Sequence, residues 1–525
     1  MDAVAGGIEE SGDARALSSA TEPLNIWTLV LGKPHRRSQG WGFFNRHQLR
    51  ISLMPTSNTG DNFNPSTFAQ QVQAGVEQAL IVAETEAAQQ QKEMKLRQQY
   101  ERLKDCYLSN RVSEHCKPVP AYERAVGDWA LQSKANRHEH CETLLQAVAN
   151  PMMLDASLSE LMPKLKRREQ ELENCETDSS MKWRWLRAVQ QALLDKKFRR
   201  GKYEKYKIAK PGRTGFRTIE VPNTDTRIVA RTMLSVLSPL LDPNFYQLSI
   251  GFRKHRSPLH GIAAAEQLAK RGMTHWVKCD IRDAFGQIPK PPLLDVLKSR
   301  LHGSSIMWLV EEILDKHRKR GIPQGVAISP LAMNVYLDRF LDRWWVKRFP
   351  GTCLVRYADD ILIACPTRQS AIAAFNALEE QTKTIGMPLK ERQTDAVFDL
   401  SGGEMVDWLG FQIRLHGDEF QCSLGVKSWD RLEDKLQEVR ARKTKGECYT
   451  DADITSIGFG RVHEKAIAIN EQQVPAVAHQ IRELAEESKL DMSGFTDGEA
   501  LRAWLIGQEK WQEAREQVLQ WLPAA

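Results

Sequence analysis

The chain has 525 residues, 42% hydrophobic and 27% charged, with 73 Lys plus Arg against 67 Asp plus Glu. That length exceeds what one hydrophobic core supports, so roughly two to four domains are expected, and the composition excludes wholesale disorder and a fibrous fold. No apolar run is long enough to cross a bilayer, no signal core follows the acidic N-terminus, and nine cysteines are too sparse for a disulfide scaffold, so the expected location is cytoplasmic.

Residues 1 to about 64 show little periodicity, and the aromatic group Trp27, Trp41, Phe43 and Phe44 suggests a partly ordered arm. Asn64-Pro65 then opens an Ala-, Gln- and Glu-rich stretch that predicts a helix to about Asp105. A second helical region is expected over about 118–175, making 1–180 a helical accessory region. From Met181 the pattern changes to α/β. FRTIEV, HWVKCDI and CLVRYADDILIAC read as strands, and Leu259–Arg271 and Met307–Arg320 read as helices. Beyond about Ile413, a charged amphipathic helix is expected over Ser428–Lys443. Thr496-Asp-Gly-Glu499 has capping-box spacing before a helix carrying Leu501, Trp504, Trp511, Val518 and Leu522.

Charge is concentrated between Lys182 and Arg231, with 15 Lys or Arg and 4 Asp or Glu, interleaved with Trp183, Trp185, Phe198, Tyr203 and Tyr206. Cations attract phosphates and aromatics stack on bases, which suits nucleic acid. A solvated charged face around an ordinary aromatic core would give the same composition.

Two segments place carboxylates inside strand-like apolar runs: Lys278-Cys-Asp-Ile-Arg-Asp-Ala-Phe285 and Arg356-Tyr-Ala-Asp-Asp-Ile-Leu-Ile363. Buried carboxylates are costly unless paired or metal-bound. A tight turn would expose Asp359 and Asp360 at a hairpin tip, with Asp280 meeting them from a neighbouring strand. Oxygen ligands of this kind favour Mg²⁺. An Asp-Asp surface turn beside an unrelated strand-end Asp fits the spacing as well.

The chain resembles bacterial reverse transcriptases with a polymerase core of group II intron type. Tyr357-Ala-Asp-Asp360 matches the palm signature and Asp280-Ile-Arg-Asp-Ala-Phe285 the first metal-binding motif. The segment Gly321-Ile-Pro-Gln-Gly-Val-Ala-Ile-Ser-Pro-Leu-Ala-Met-Asn334 matches the family's segment between them. Ser249-Ile-Gly-Phe-Arg253, Arg217-Thr-Ile-Glu-Val-Pro222 with Asp225-Thr-Arg227, and Trp408-Leu-Gly-Phe411 complete six blocks in family order.

The resemblance implies an α+β right-hand polymerase with an antiparallel palm sheet. Fingers are expected at 181–275, the palm at 276–415 with a fingers-associated segment at 286–325, and a helical thumb and extension at 416–525. It implies RNA-directed DNA synthesis by two-metal phosphoryl transfer onto a primer 3′-hydroxyl. Asp280, Asp359 and Asp360 would be catalytic, and with the Ile281 carbonyl would hold two Mg²⁺ ions, with Mn²⁺ as a substitute. Phe285 would be the steric gate against a 2′-hydroxyl. Gln324, Gly325, Arg217, Arg227 and, more weakly, Lys210 are nucleotide- or template-binding candidates. Tyr357 and Trp408, Leu409, Gly410 and Phe411 would position the primer. Lys390 or Arg392 would stand near the leaving pyrophosphate. Asp283 would lie near the triphosphate or cap a turn, and Ser329 would cap a helix.

His115-Cys116 with His138-Glu-His140-Cys141 fits no closed zinc template and reads as helical-domain residues, while Cys279 and Cys365 read as core thiols. No clear nuclease or retron thumb signature follows the palm, so a stand-alone defence enzyme is expected. Its partners would be a dedicated structured noncoding RNA and the nascent DNA, with a homo-oligomer through the helical extensions as a further expectation. The alternatives are an intron or retron enzyme, or an RNA-binding structural protein with a vestigial polymerase site.

Overall fold

The computed structural model describes residues 65–109, 117–165, 179–209, 215–425, 427–444, 446 and 449–522. Two compact units divide the chain, Met1–Gln90 and Gln91–Ala525. Within the first, the described residues belong to the helix Pro65–Leu108, which starts at the proline picked out in the sequence. Among the described residues no helix is long and apolar enough to cross a membrane.

The second unit is α+β, and its strands pair antiparallel in three sheets. The central sheet has the order β4-β5-β3-β6, with β3 His275–Asp280, β4 Cys353–Tyr357, β5 Asp360–Cys365 and β6 Val397–Asp399. Side chains alternate between its faces, and both faces are covered. Val277, Cys279, Leu354, Ile361 and Ile363 enter one core, while Trp276, Cys353, Val355, Leu362 and Ala364 enter another. This explains why the strands read as near-continuous apolar runs in which a charge stands out.

The first core extends from Tyr100 to Ala396, so the helices Pro118–Ala125, Lys134–Glu142 and Pro151–Leu165 pack into the same interior as the strands of the central sheet. Packing continues across residue 180. A hairpin of β1 Glu204–Ala209 and β2 Phe216–Val221 leaves this core, with Tyr206, Ile208 and Phe216 exposed. FRTIEV is that second strand.

The helix expected over Met307–Arg320 stops at Ile313. Asp315 is left-handed at φ 64°, and the buried Lys290 ammonium donates to the Leu314 and Asp315 carbonyls. Those interactions satisfy backbone groups a longer helix would have used. Arg200 and Arg318 then clamp the Asp315 carboxylate at 2.6 and 2.8 Å.

A second small sheet, β7 Val406–Trp408, β8 Phe411–His416 and β9 Glu419–Leu424, precedes the helices Ser428–Thr444, Asp451–Lys465, Val474–Glu487 and Asp497–Trp521. The Thr496 side chain accepts from the Glu499 amide, which is the helix-capping half of the expected box. The last helix joins two cores. Ala500 and Ala503 pack among the helices, whereas Ala514, Val518 and Leu522 pack behind the central sheet. Arg515 grips the buried Glu266 of the Pro258–Lys270 helix through two hydrogen bonds, at 2.8 and 2.6 Å.

The crossing of this last helix over Asp451–Lys465 depends on Gly507. A Cβ there would lie 2.5 Å from both the Ala466 Cβ and the His463 carbonyl oxygen. Gly507→Ala is expected to lower stability by about 1–3 kcal/mol despite its better helix propensity. Thermal unfolding of the variant beside Gly498→Ala, where the nearest atom is Thr496 Oγ1 at 3.7 Å, checks it. The first should melt earlier and the second should not.

Candidate active site

The site forms where β3, β4 and β5 end. Asp280, the last residue of β3, lies directly opposite Asp360, the first of β5. Tyr357 lies opposite Asp360 on the other side, so Ala358 and Asp359 form the connecting turn. Ala358 has φ 60° and is buried, and Asp359 and Asp360 are half-buried, so the hairpin turn is formed as expected but its carboxylates are only partly exposed. The Ile281 amide donates to the Asp359 carbonyl at 3.0 Å, tying β3 to the turn.

Arg356 holds that turn from within. Its guanidinium and the Asp342 carboxylate are both fully buried and meet in a two-point pair at 2.8 and 2.6 Å. The same guanidinium donates to the Ala358 carbonyl at 2.8 Å, Asn334 Oδ1 at 3.0 Å and Ser249 Oγ at 2.6 Å. Gly251 closes the turn from outside. A Cβ on it would lie 2.2 Å from the Ala358 nitrogen, a contact only glycine avoids. The quoted blocks around residues 249–253 and 321–334 therefore meet behind the carboxylates.

The electrostatics are those of clustered acids opposed by lysines. Desolvation by burial raises Asp360 to about 7, with Lys278 opposing and Asp280 and Asp359 reinforcing the shift. Desolvation and the Asp280 charge also raise Asp359, and Arg217 is among the cations that oppose this. Lys390 ion-pairs with Asp280, and its amide donates to the Asp280 carbonyl at 2.8 Å. The Glu391 carboxylate accepts from the Asp280 amide at 2.7 Å. Lys278 stands 3.8 Å from Asp360 Oδ1, an atom that is buried and makes no hydrogen bond.

Three oxygen-donor side chains and one orphaned carboxylate oxygen suit a hard divalent cation. Among the described residues, though, no three His, Cys, Asp or Glu side chains already surround one point. The residues fit Mg²⁺ in kind, and Lys390 and Lys278 stand against the carboxylates that would take it.

The remaining candidates separate by exposure and contact. Phe285 is half-buried, its ring edge-to-face with Phe252 at 6.3 Å, and its carbonyl accepts from the Ile322 amide at 2.8 Å. Gln324 accepts through its carbonyl from the Glu220 amide at 2.7 Å, and a Cβ on Gly325 would lie 2.7 Å from the Glu220 oxygen. The close approach at this glycine is thus to strand β2. Arg318 donates to the Glu220 carboxylate at 2.6 Å and fixes the same strand. Arg217 is exposed on β2, Arg227 is half-buried in the Thr224–Leu241 helix, and Lys210 lies outside the described residues. Tyr357 is half-buried. Trp408 and Phe411 are buried and paired across the Leu409-Gly410 turn, so their rings set the hairpin while the turn is the part that reaches solvent. The Lys465 ammonium lies 4.1 Å from the Phe411 ring centroid.

Ser329 does not cap its helix. It is the first helical residue, and its hydroxyl donates to the Pro323 carbonyl at 2.6 Å. Asp283 occupies an N-cap position at φ 45° without a side-chain cap bond. His140 is buried between the Tyr100 and Tyr122 hydroxyls, and burial pulls it down to about 4. His115 and Cys116 lie outside the described residues. Cys279 and Cys365 are buried thiols raised by burial. Arg356, Asp342 and Gly251 escaped the sequence reading as working residues. A cation inside the apolar run Leu354–Tyr357 was the available signal, since a buried guanidinium requires an acid.

An antiparallel sheet whose adjoining strands end in carboxylates, with helices behind and a basic hairpin in front, is the palm arrangement of right-hand polymerases. Residues 208–413 match the family model described as "Reverse transcriptase (RNA-dependent DNA polymerase)". It is 31% identical over 146 residues to the putative COX1/OXI3 intron 2 protein of Saccharomyces cerevisiae, covering 26% of this chain and 17% of that protein. It is 27% identical over 202 residues to protein YkfC of Escherichia coli, covering 30% and 53%. The group II intron-encoded protein LtrA of Lactococcus lactis is 24% identical over 168 residues, covering 30% and 28%. The chain thus spans about half or less of these relatives' lengths. Among solved structures, a partial Cas6-RT-Cas1--Cas2 complex matches at 20% identity and TM-score 0.29, over 46% of this chain and 41% of that one.

Replacing Arg356 with Met leaves Asp342 charged and buried without a partner, and is expected to cost about 3–5 kcal/mol. Adding Asp342→Leu should recover much of that loss, because neither charge then remains. Urea unfolding of the single and double variants reads the difference.

The raised Asp360 makes a second prediction. Between about pH 4 and about 7 the unfolded chain releases this proton while the folded chain keeps it, so this group's contribution to stability falls as pH rises. In chelator, the melting temperature of wild type minus that of Asp360→Asn should decline over this range. A flat difference contradicts the shift.

Proposed function

We propose that this chain is an RNA-directed DNA polymerase that extends a primer 3′-hydroxyl with deoxynucleoside triphosphates. The observation that carries the reading is Asp280 directly opposite Asp360, with Asp359 in a turn pinned by Arg356. In this reading Asp280 and Asp359 hold Mg²⁺, with Asp360 and the Ile281 carbonyl adjoining. The bound ions would neutralise charge as the primer oxygen attacks the α-phosphate.

The chain's own residues do the rest by positioning. Phe285 limits the space beneath the sugar. Gln324 and Gly325 fix β2, whose Arg217 brings positive charge towards Asp359. Lys390, on Asp280, is placed to follow developing phosphate charge once the carboxylate has another counter-ion. The buried Trp408–Phe411 pair holds the Leu409-Gly410 turn that would face the primer.

A dedicated structured RNA and a role in defence extend this reading. Their support is the basic stretch from Lys182 to Arg231, and helices on both sides of the family match that pack against the polymerase core. RNA copurifying with the native protein should be enriched in one species.

Primer extension on matched RNA and DNA templates with Mg²⁺ tests the activity. Asp359→Ala should lower incorporation by at least about 10²-fold while leaving RNA binding in place. RNA binding without metal-dependent synthesis by the wild type would instead identify a binding protein with a vestigial site.

A further inference from the structure

Phe252 stands out because its position is costly and packing does not account for it. It has φ 61°, in the left-handed region that bulky side chains rarely adopt, and its residue is 51% exposed. Burial would justify a phenylalanine, and a left-handed turn would favour glycine. Here neither is satisfied.

Its neighbours leave it little freedom. On one side, Gly251 is pressed against the Tyr357–Ala358 backbone, and its carbonyl accepts from Asn334 Nδ2 at 2.8 Å. On the other side, the buried Arg253 makes four hydrogen bonds: to Asp242 Oδ1 at 2.9 Å, and to the carbonyls of Tyr246, Ser249 and Asp242 at 2.9, 2.8 and 2.9 Å. The segment therefore presents one half-exposed ring at a fixed place beside the carboxylate turn. That ring meets Phe285 edge-to-face, with centroids 6.3 Å apart and planes at 64°.

We propose that Phe252 is a specificity-determining residue, forming with Phe285 an apolar corner that receives the sugar of the incoming nucleotide. This rests on the polymerase reading above. Two rings at a steep angle define a corner, whereas one ring defines only a floor. A 2′-hydroxyl entering it would lose water and find no hydrogen-bond acceptor in either ring, whereas a deoxyribose C2′ would lose nothing comparable. The strained backbone is then the consequence of aiming the second ring.

Single-nucleotide incorporation provides the test, read as kcat/KM for a deoxynucleotide divided by that for the matching ribonucleotide. Phe252→Ala should lower this ratio about 10-fold, in the range expected for loss of an apolar steric contact. Phe252→Leu, which keeps apolar bulk, should lie between wild type and alanine. In Phe252→Ala/Phe285→Ala the ratio should fall by less than the product of the single effects, because the rings share one corner.

Phe252→Gly separates specificity from folding. Glycine accepts the left-handed conformation, so this variant should melt no earlier than wild type yet still lose discrimination. A ratio within about 2-fold of wild type in both the Ala and Gly variants, or equal loss for both nucleotides, overturns the proposal. A wild type that incorporates neither nucleotide overturns the polymerase reading itself. An active wild type with an insensitive ratio overturns only the role of Phe252.

Discussion

The site depends on the buried pair of Arg356 and Asp342. A guanidinium and a carboxylate removed from water are stable only when their hydrogen-bonding capacity is met, and here it is met by five contacts. Those contacts gather parts of the chain far apart in sequence: Ser249, Asn334, Asp342 and the Ala358 carbonyl. Because the pair tolerates little displacement, the turn carrying Asp359 inherits its rigidity. The pair is a fixed pivot beside the central sheet, and the place of Arg356 in the apolar run of β4 follows from that.

Against this rigid background the carboxylate turn carries unresolved charge. Burial, reinforced by the neighbouring carboxylates, raises Asp359 and Asp360, while Lys278 and Lys390 offer partial relief. Neither lysine satisfies the set, since Asp360 keeps a buried oxygen without a hydrogen bond. Clustered acids held by a stiff frame cannot relax apart, so their repulsion persists as a preference for cations.

The flanking helices belong to the same mechanical frame. Helices before residue 166 share a core with the strands bearing the carboxylates, and the last helix closes on Glu266 through Arg515. The opposite contact of that Glu266 helix is at Gly261, where a Cβ would lie 2.7 Å from the Leu409 side chain. A continuous packed path therefore runs from the C-terminal helix to the hairpin expected to face the primer.

Much of this was legible in the sequence. Short β-rich apolar runs located β2 to β5, the proline at 65 and the Thr496 cap marked helix starts, and motif order located the segment that matches the reverse transcriptase family model. These are local properties, set by short-range composition, capping and motif spacing. What the sequence left open was long-range. The early end of the Met307 helix depends on Lys290, 24 residues from the Leu314 carbonyl it meets. The real contact of Ser329 is the Pro323 carbonyl, and that of Gly325 is strand β2. The role of Arg356 depends on Asp342, Asn334 and Ser249 converging on it. The chain by itself determined which groups were available for chemistry. Only the tertiary structure decided which were buried together, because the cost of burying a charge depends on partners that arrive from elsewhere in the fold.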